Sequence, residues 1–147
     1  MENLNEVEIL IVEDNPLDAE MALRALKKNK LTNKVLVVGD GEEALDFVFA
    51  RGKFDERSRQ SRPKIILLDL KLPKIDGLDV LKEIKSHPET KVIPVIMLTS
   101  SKEESDLVKS YQLGVNSYIV KPVDFDKFVD AIREIGFYWL LLNQQKR

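Results

Sequence analysis

The sequence predicts a doubly wound α/β domain, a five-stranded parallel sheet with helices on both faces. Five short apolar runs recur along the chain: VEILIV, KVLVVG, KIILL, VIPVIML and SYIV. Each is followed by a longer segment with apolar residues at helical spacing, the mark of repeated strand–helix units. The runs are apolar throughout rather than alternating, so each strand is buried on both faces, as in a parallel sheet. Right-handed crossovers then leave a doubly wound sheet. A chain of 147 residues fits one such domain, with its core over about residues 8–135 and an extension of the last helix over about 136–147.

The elements follow in order. The first strand spans Val7 to Val12. Asn15-Pro16 then supplies a helix N-cap with proline at the first helical position, and Asp18 and Glu20 lie near the positive end of that helix. Ala19, Ala22, Leu23 and Leu26 form its apolar face. The second strand is Lys34 to Gly39, and Asp40-Gly41 turns into a helix over Glu42 to Arg51. The third strand is Lys64 to Leu68, followed by a loop and a helix near Leu78 to Ser86. The fourth is Val92 to Leu98. Ser100 with Glu103, or Ser101 with Glu104, can then box the start of the next helix, and Gly114 is its expected stop. The fifth strand is Ser117 to Val120, and Asp124 opens the last helix.

Composition removes several function classes. Lys plus Arg is 23 against 25 Asp plus Glu, a formal charge of −2, which argues against a chain-wide grip on nucleic acid. Cysteine is absent, which excludes disulfides, thiol catalysis and thiolate metal sites. One histidine, His87, cannot build an imidazole metal cluster; it reads as a surface residue. The acidic N-terminus lacks the core of a signal peptide, and no apolar run approaches the roughly 20 residues that span a bilayer. A cytoplasmic protein without membrane insertion is the expectation.

In a doubly wound sheet, ligands bind along the edge where the strands end. The residues at those exits are Glu13 and Asp14, Asp40, Asp69, Thr99 with Ser100 and Ser101, and Lys121-Pro122. Acids, a hydroxyl and an amine thus meet at one edge. Gathered carboxylates repel and need a counter-charge, and a hard divalent cation such as Mg²⁺ suits oxygen ligands. One carboxylate can then be a nucleophile toward phosphorus, with the lysine and hydroxyl neutralising and binding phosphoryl oxygens.

Four stretches, ILIVEDN, ILLDLKLPKIDGL, VIMLTSS and SYIVKP, in this order and spacing, resemble the receiver domain of two-component response regulators. The resemblance covers the chain from about Glu8 to the last helix. It implies a flavodoxin-like sheet in order 2-1-3-4-5, which puts Asp40 at an edge strand, away from the site, as a helix cap. It implies that Asp69 accepts a phosphoryl group, that Asp14 binds Mg²⁺ directly and Glu13 through water, and that the Lys71 backbone carbonyl is a further ligand. Thr99 and Lys121 would contact the phosphoryl oxygens, Pro122 would follow a cis peptide bond, and Tyr118 would be the aromatic switch residue. The family usually carries two aspartates where this chain has Glu13 and Asp14. A stand-alone signalling switch follows, phosphorylated by a sensor histidine kinase, acting on a downstream protein target or phosphotransfer protein, with no output domain for DNA and no external enzymatic product.

Two segments exceed that pattern. Ala50 to Lys64 is a long, Arg- and Lys-rich loop, read as solvated or else as a docking surface. A long insertion there resembles the regulators that pair with phytochrome-type sensor kinases. In the last helix, Phe125, Phe128, Val129, Ile132, Ile135 and Trp139 form one stripe, and Phe137, Tyr138, Leu140, Leu141 and Leu142 extend apolar surface around it. A helix apolar most of the way round is buried on more than one side, so a homodimer through this region is expected. Two rivals carry less. A phosphatase or phosphotransferase with an aspartyl-phosphate intermediate typically has a second acid two residues after the nucleophile, where this chain has Lys71. A nucleotide or flavin binder would carry a glycine-rich phosphate loop, which is missing.

Overall fold

The computed structural model describes residues 4, 7–28, 34–58 and 60–135. Among them the strands are β1 (Ile9–Val12), β2 (Val35–Val38), β3 (Ile65–Asp69), β4 (Val95–Thr99) and β5 (Ser117–Val120). The helices are α1 (Pro16–Lys28), α2 (Gly41–Val48), α3 (Gly77–Ser86), α4 (Lys102–Ser110) and α5 (Phe125–Ile135), with a 3-10 turn at Gly52–Phe54. All strand pairs are parallel, in the order β2-β1-β3-β4-β5, as expected.

Successive strand residues point to opposite faces, and two separate cores result. Leu10, Val12, Ile66, Leu68, Val95 and Met97 pack with Ala44, Leu45, Leu81 and Ile84 beneath α2 and α3. Ile9, Ile11, Ile65, Leu67, Ile96 and Leu98 pack with Ala22, Leu26, Phe128 and Ile132 beneath α1 and α5. Full burial of each Leu, Ile or Phe stabilises by about 1.5–3 kcal/mol. Since both faces are apolar, the face pattern does not pin strand register. The polar exits do: Asp69 is the last residue of β3, opposite Leu98, and a slip inward would carry its carboxylate into the core.

Helix caps follow the sequence closely. Asn15 Oδ1 accepts the N–H groups of Leu17 and Asp18, and Asp40 Oδ1 accepts that of Glu43. Of the two candidate boxes at α4, Ser101 with Glu104 forms by half: Ser101 Oγ accepts the Glu104 N–H, whereas the Glu104 carboxylate takes the N–H of Ser100 rather than that of Ser101. Asp124 Oδ1 accepts the N–H of Lys127.

Several boundaries differ from expectation. The fourth strand begins at Val95, not Val92: Pro94 has no N–H for the ladder, and Val92 is exposed. The second helix stops at Val48, because Ala50 adopts a left-handed φ of 52°. After α4 the first left-handed residue is Gln112 (φ 52°), and Gly114 (φ 84°) follows two residues on.

The loop from Ala50 to Lys64 is not simply solvated. Phe54 and Arg57 are buried within it, Arg57 only 3% exposed. Arg57 donates to the carbonyls of Phe47 and Val48 at 2.7 Å each, satisfying the open C-terminal end of α2, and to those of Ser58 and Ser61 at 2.6 Å. Its guanidinium lies 4.8 Å from the Phe47 ring centroid. In α5, Phe128, Val129 and Ile132 are buried as the stripe requires. Trp139, the surrounding aromatic and leucine residues, and the interface expected on them lie outside the described residues.

Candidate functional site

The site forms where strand order reverses, between the ends of β1 and β3, because α1 and α3 leave these neighbouring strands in opposite directions. Each functional side chain arrives by its place at a strand end. Glu13 and Asp14 follow β1, Asp69 ends β3, Thr99 ends β4 and Lys121 follows β5. All but the buried Thr99 border a cleft of about 270 Å³ whose rim includes Asp18, Ser100 and Glu104. Asp40, at the edge strand, is a helix cap.

The Lys121 ammonium is the hub. Its Nζ donates to Asp69 Oδ2 at 3.0 Å, Glu13 Oε1 at 3.1 Å and Asp18 Oδ2 at 3.1 Å. The Lys121–Pro122 peptide bond is cis. Glu13 and Asp69 are almost fully buried, at 3% and 4% exposure, whereas Asp14 is exposed. Glu13 Oε2 also accepts the N–H of Asn15 at 3.1 Å.

These carboxylates are short of positive charge. Burial, then the hydrogen bond and repulsion from Asp69, push the Glu13 carboxyl up to about 7 against smaller opposing effects of Asn15 and Lys121. Burial pulls Lys121 down, but Asp69, Glu13 and Asp18 outweigh it and hold the ammonium well above the usual lysine range. One oxygen from each of Glu13, Asp14 and Asp69 lies within 4.8 Å of the other two. A crowded all-oxygen donor set with one buried, hard-to-ionise member fits a hard divalent cation.

The loop after β3 is built tightly against the site. Gly77 N–H donates to Leu70 O at 3.0 Å, and a Cβ on Gly77 would lie 2.3 Å from the Asp69 carbonyl oxygen. Only glycine permits that approach. The Lys71 ammonium reaches Glu104 at 3.3 Å, across the cleft mouth. The Ser100 N–H and Lys71 hold Glu104 below the usual carboxylate range, although burial opposes them.

Thr99 is fully buried, and its hydroxyl is engaged by the start of α4: it donates to Ser101 O at 3.2 Å and lies 3.4 Å from Ser105 Oγ. Tyr118 is half-buried, with the Lys109 ammonium 5.0 Å from its ring centroid, and burial raises its phenol. His87 lies at the surface, 2.7 Å from Glu83.

The structure thus gathers Glu13, Asp14, Asp69, Lys71 and Lys121, with Thr99 adjacent. It adds two residues that the sequence reading gave other duties, Asp18 as a dipole partner and Glu104 as a box partner. The signal for Asp18 was its place: three residues after the N-cap of a helix that starts at the site.

The model of the response regulator receiver domain matches residues 9–133. The chain belongs to this family. This receiver domain is 38% identical over 132 residues to the response regulator Rcp1 from Synechocystis sp., covering 90% of this chain and 88% of Rcp1. Among solved structures it matches the bacteriophytochrome response regulator RtBRR with TM-score 0.86 and 53% identity, covering 90% and 80% of the two chains. A structure of Rcp1 described as the Mn²⁺-bound form matches with TM-score 0.72 and 37% identity over 91% and 94%. One described as the phosphorylated cyanobacterial phytochrome response regulator RcpA matches with TM-score 0.72 and 40% identity over 92% and 94%. Receiver domains are signalling modules that bind a divalent metal and work with a histidine kinase.

Proposed function

We propose that this chain is a phosphorylation-dependent switch in which Asp69 accepts a phosphoryl group from a sensor histidine kinase. The observation that carries it is the Lys121 ammonium, 3.0 Å from the buried Asp69 carboxylate and shared with Glu13. An Asp69 oxygen attacks phosphorus as the P–N bond of a phosphohistidine breaks and the imidazole leaves. Mg²⁺ is the ion the donors suit: Asp14, Asp69 and the Lys71 backbone carbonyl would hold it, with Glu13 acting through water, and it would supply charge neutralisation at the phosphoryl oxygens. Lys121 provides the remaining positive charge, and the Thr99 hydroxyl exchanges Ser101 and Ser105 for a phosphoryl oxygen. Tyr118 then turns inward and changes the partner surface.

On this reading the protein is a cytoplasmic regulator that acts through its receiver domain. It acts on its own acyl phosphate rather than on an external substrate. The relatives RtBRR and RcpA point to a phytochrome-type kinase. Its output is a downstream protein or phosphotransfer partner, and the apolar residues Phe137, Tyr138, Leu140, Leu141 and Leu142 of the sequence motivate a homodimer. No helix among the described residues is long and apolar enough to cross a membrane.

The test is incubation with Mg²⁺ and a small phosphodonor, or with beryllofluoride, beside Asp69→Asn. Wild type gains one hydroxylamine-sensitive phosphate and the variant gains none. A wild type that neither gains phosphate nor binds the mimic would defeat the reading. Sedimentation at tens of micromolar, with and without the mimic, checks the dimer, and a monomer in both states would exclude it.

A further inference from the structure

Asp18 is the one carboxylate on Lys121 that the phosphoryl chemistry leaves without a task. It is the third residue of α1. The acids at the matching position of two other helices turn back to their own backbone: Glu43 accepts the Gly39 N–H and Glu104 the Ser100 N–H, each at 2.8 Å. Asp18 is one methylene shorter, and its carboxylate turns instead to Lys121 at 3.1 Å. It also stands outside the trio whose oxygens crowd together, Glu13, Asp14 and Asp69.

We propose that Asp18 is a positioning residue, a fixed counter-ion that holds Lys121 back from the phosphoryl group and trades phosphoryl affinity for metal affinity. This rests on the phosphorylation reading above. With the Glu13 and Asp69 oxygens engaged by a cation, Asp18, outside that trio, would remain as the partner of Lys121. The phosphoryl group must then compete with Asp18 for the ammonium. The same negative charge that attracts a divalent cation opposes the incoming anion, so its removal moves the two affinities in opposite directions. Loss of a helix-end charge alone would lower stability and leave that pattern absent.

The experiment compares wild type, Asp18→Asn and Asp18→Glu. Mg²⁺ affinity is measured by calorimetry without any phosphoryl mimic. Beryllofluoride affinity is measured at saturating Mg²⁺, and thermal unfolding is followed in EDTA to monitor the fold. Asp18→Asn is expected to bind Mg²⁺ roughly fivefold more weakly and beryllofluoride roughly fivefold more tightly, and Asp18→Glu, whose longer side chain can turn back to its own backbone as Glu43 and Glu104 do, shifts both in the same two directions by less. Unchanged affinities in Asp18→Asn, or two shifts in the same direction, would overturn the role of Asp18 while leaving the switch intact. A wild type that fails to bind beryllofluoride in Mg²⁺ would overturn the phosphorylation reading and this proposal together.

Discussion

Lys121 Nζ lies 3.0 Å from Asp69 Oδ2, reaching from the exit of β5 past that of β4 to the end of β3. This single ammonium offsets the buried charge of Asp69 and Glu13. Lys121→Met leaves both carboxylates without it, and stripping one partner from a buried pair is costly. The variant is expected to lose about 3 kcal/mol of metal-free stability, the low end for a partly exposed lysine, and to bind Mg²⁺ more tightly, because the cation replaces the missing charge. Urea unfolding in EDTA and in Mg²⁺ reads both. Equal stability of the two proteins in EDTA would mean that Lys121 is not the counter-charge.

The raised Glu13 carboxyl makes metal-free stability depend on pH. Its folded value is about 7 and its reference value 4.5. Below 4.5 both states hold the proton and the contribution is fully present. Between 4.5 and 7 the unfolded chain releases its proton first, so stability falls as pH rises, and the loss is complete above 7. The shift corresponds to about 3 kcal/mol. Glu13→Gln, which cannot ionise, is therefore expected to gain on wild type between pH 5 and pH 8 in EDTA. Protonation removes the negative charge that Glu13 offers a cation through water, so wild-type Mg²⁺ affinity should climb over this window. A stability difference between the two proteins that is flat with pH would exclude Glu13 as the titrating group.

Much of this site is legible in the sequence because strand exits are legible. An apolar run ends where polar residues begin, and parallel topology carries every such end to one edge. That logic places Glu13, Asp14, Asp69, Thr99 and Lys121 without coordinates. For Asp18 it offers only a place near the site, since a residue one turn into a helix has several directions available and the default for an acid there is the helix dipole. It misses Arg57 for a similar reason: in a loop rich in Arg and Lys, exposure is the default for each member. Only the position of the carbonyls at the end of α2 singles one out.

The Thr99 hydroxyl makes long contacts, 3.2 Å to Ser101 O and 3.4 Å to Ser105 Oγ, which are weak hydrogen bonds. Thr99→Val keeps the shape and is expected to cost about 1 kcal/mol or less. Its effect should fall on the switch: the beryllofluoride-induced shifts of Tyr118 and α4 resonances should be lost while Mg²⁺ binding persists. Full wild-type shifts in the variant would remove Thr99 from the coupling between Asp69 and Tyr118.

Arg57 gives the most direct test of what the long loop does. Its guanidinium satisfies four backbone carbonyls, two of them at the end of α2, and lies over Phe47. Arg57→Ala removes donors from two buried acceptors, the Phe47 and Val48 carbonyls, and from two part-buried ones, and each unsatisfied buried group costs about 1–3 kcal/mol. Water entering the vacated space satisfies some of them, so a total near 3 kcal/mol is expected. Arg57→Lys should recover only part, because an ammonium lacks the planar five-donor fork that reaches carbonyls on both sides of the loop. Since Arg57 clamps the end of α2 remote from the acid cluster, Mg²⁺ affinity of the folded variant should stay within about twofold of wild type. Urea unfolding beside Mg²⁺ titration separates the two quantities. A stable Arg57→Ala would mean that the loop is held by Phe54 and its neighbours alone, and a large loss of Mg²⁺ affinity in a folded variant would mean that the loop is coupled to the site through α2.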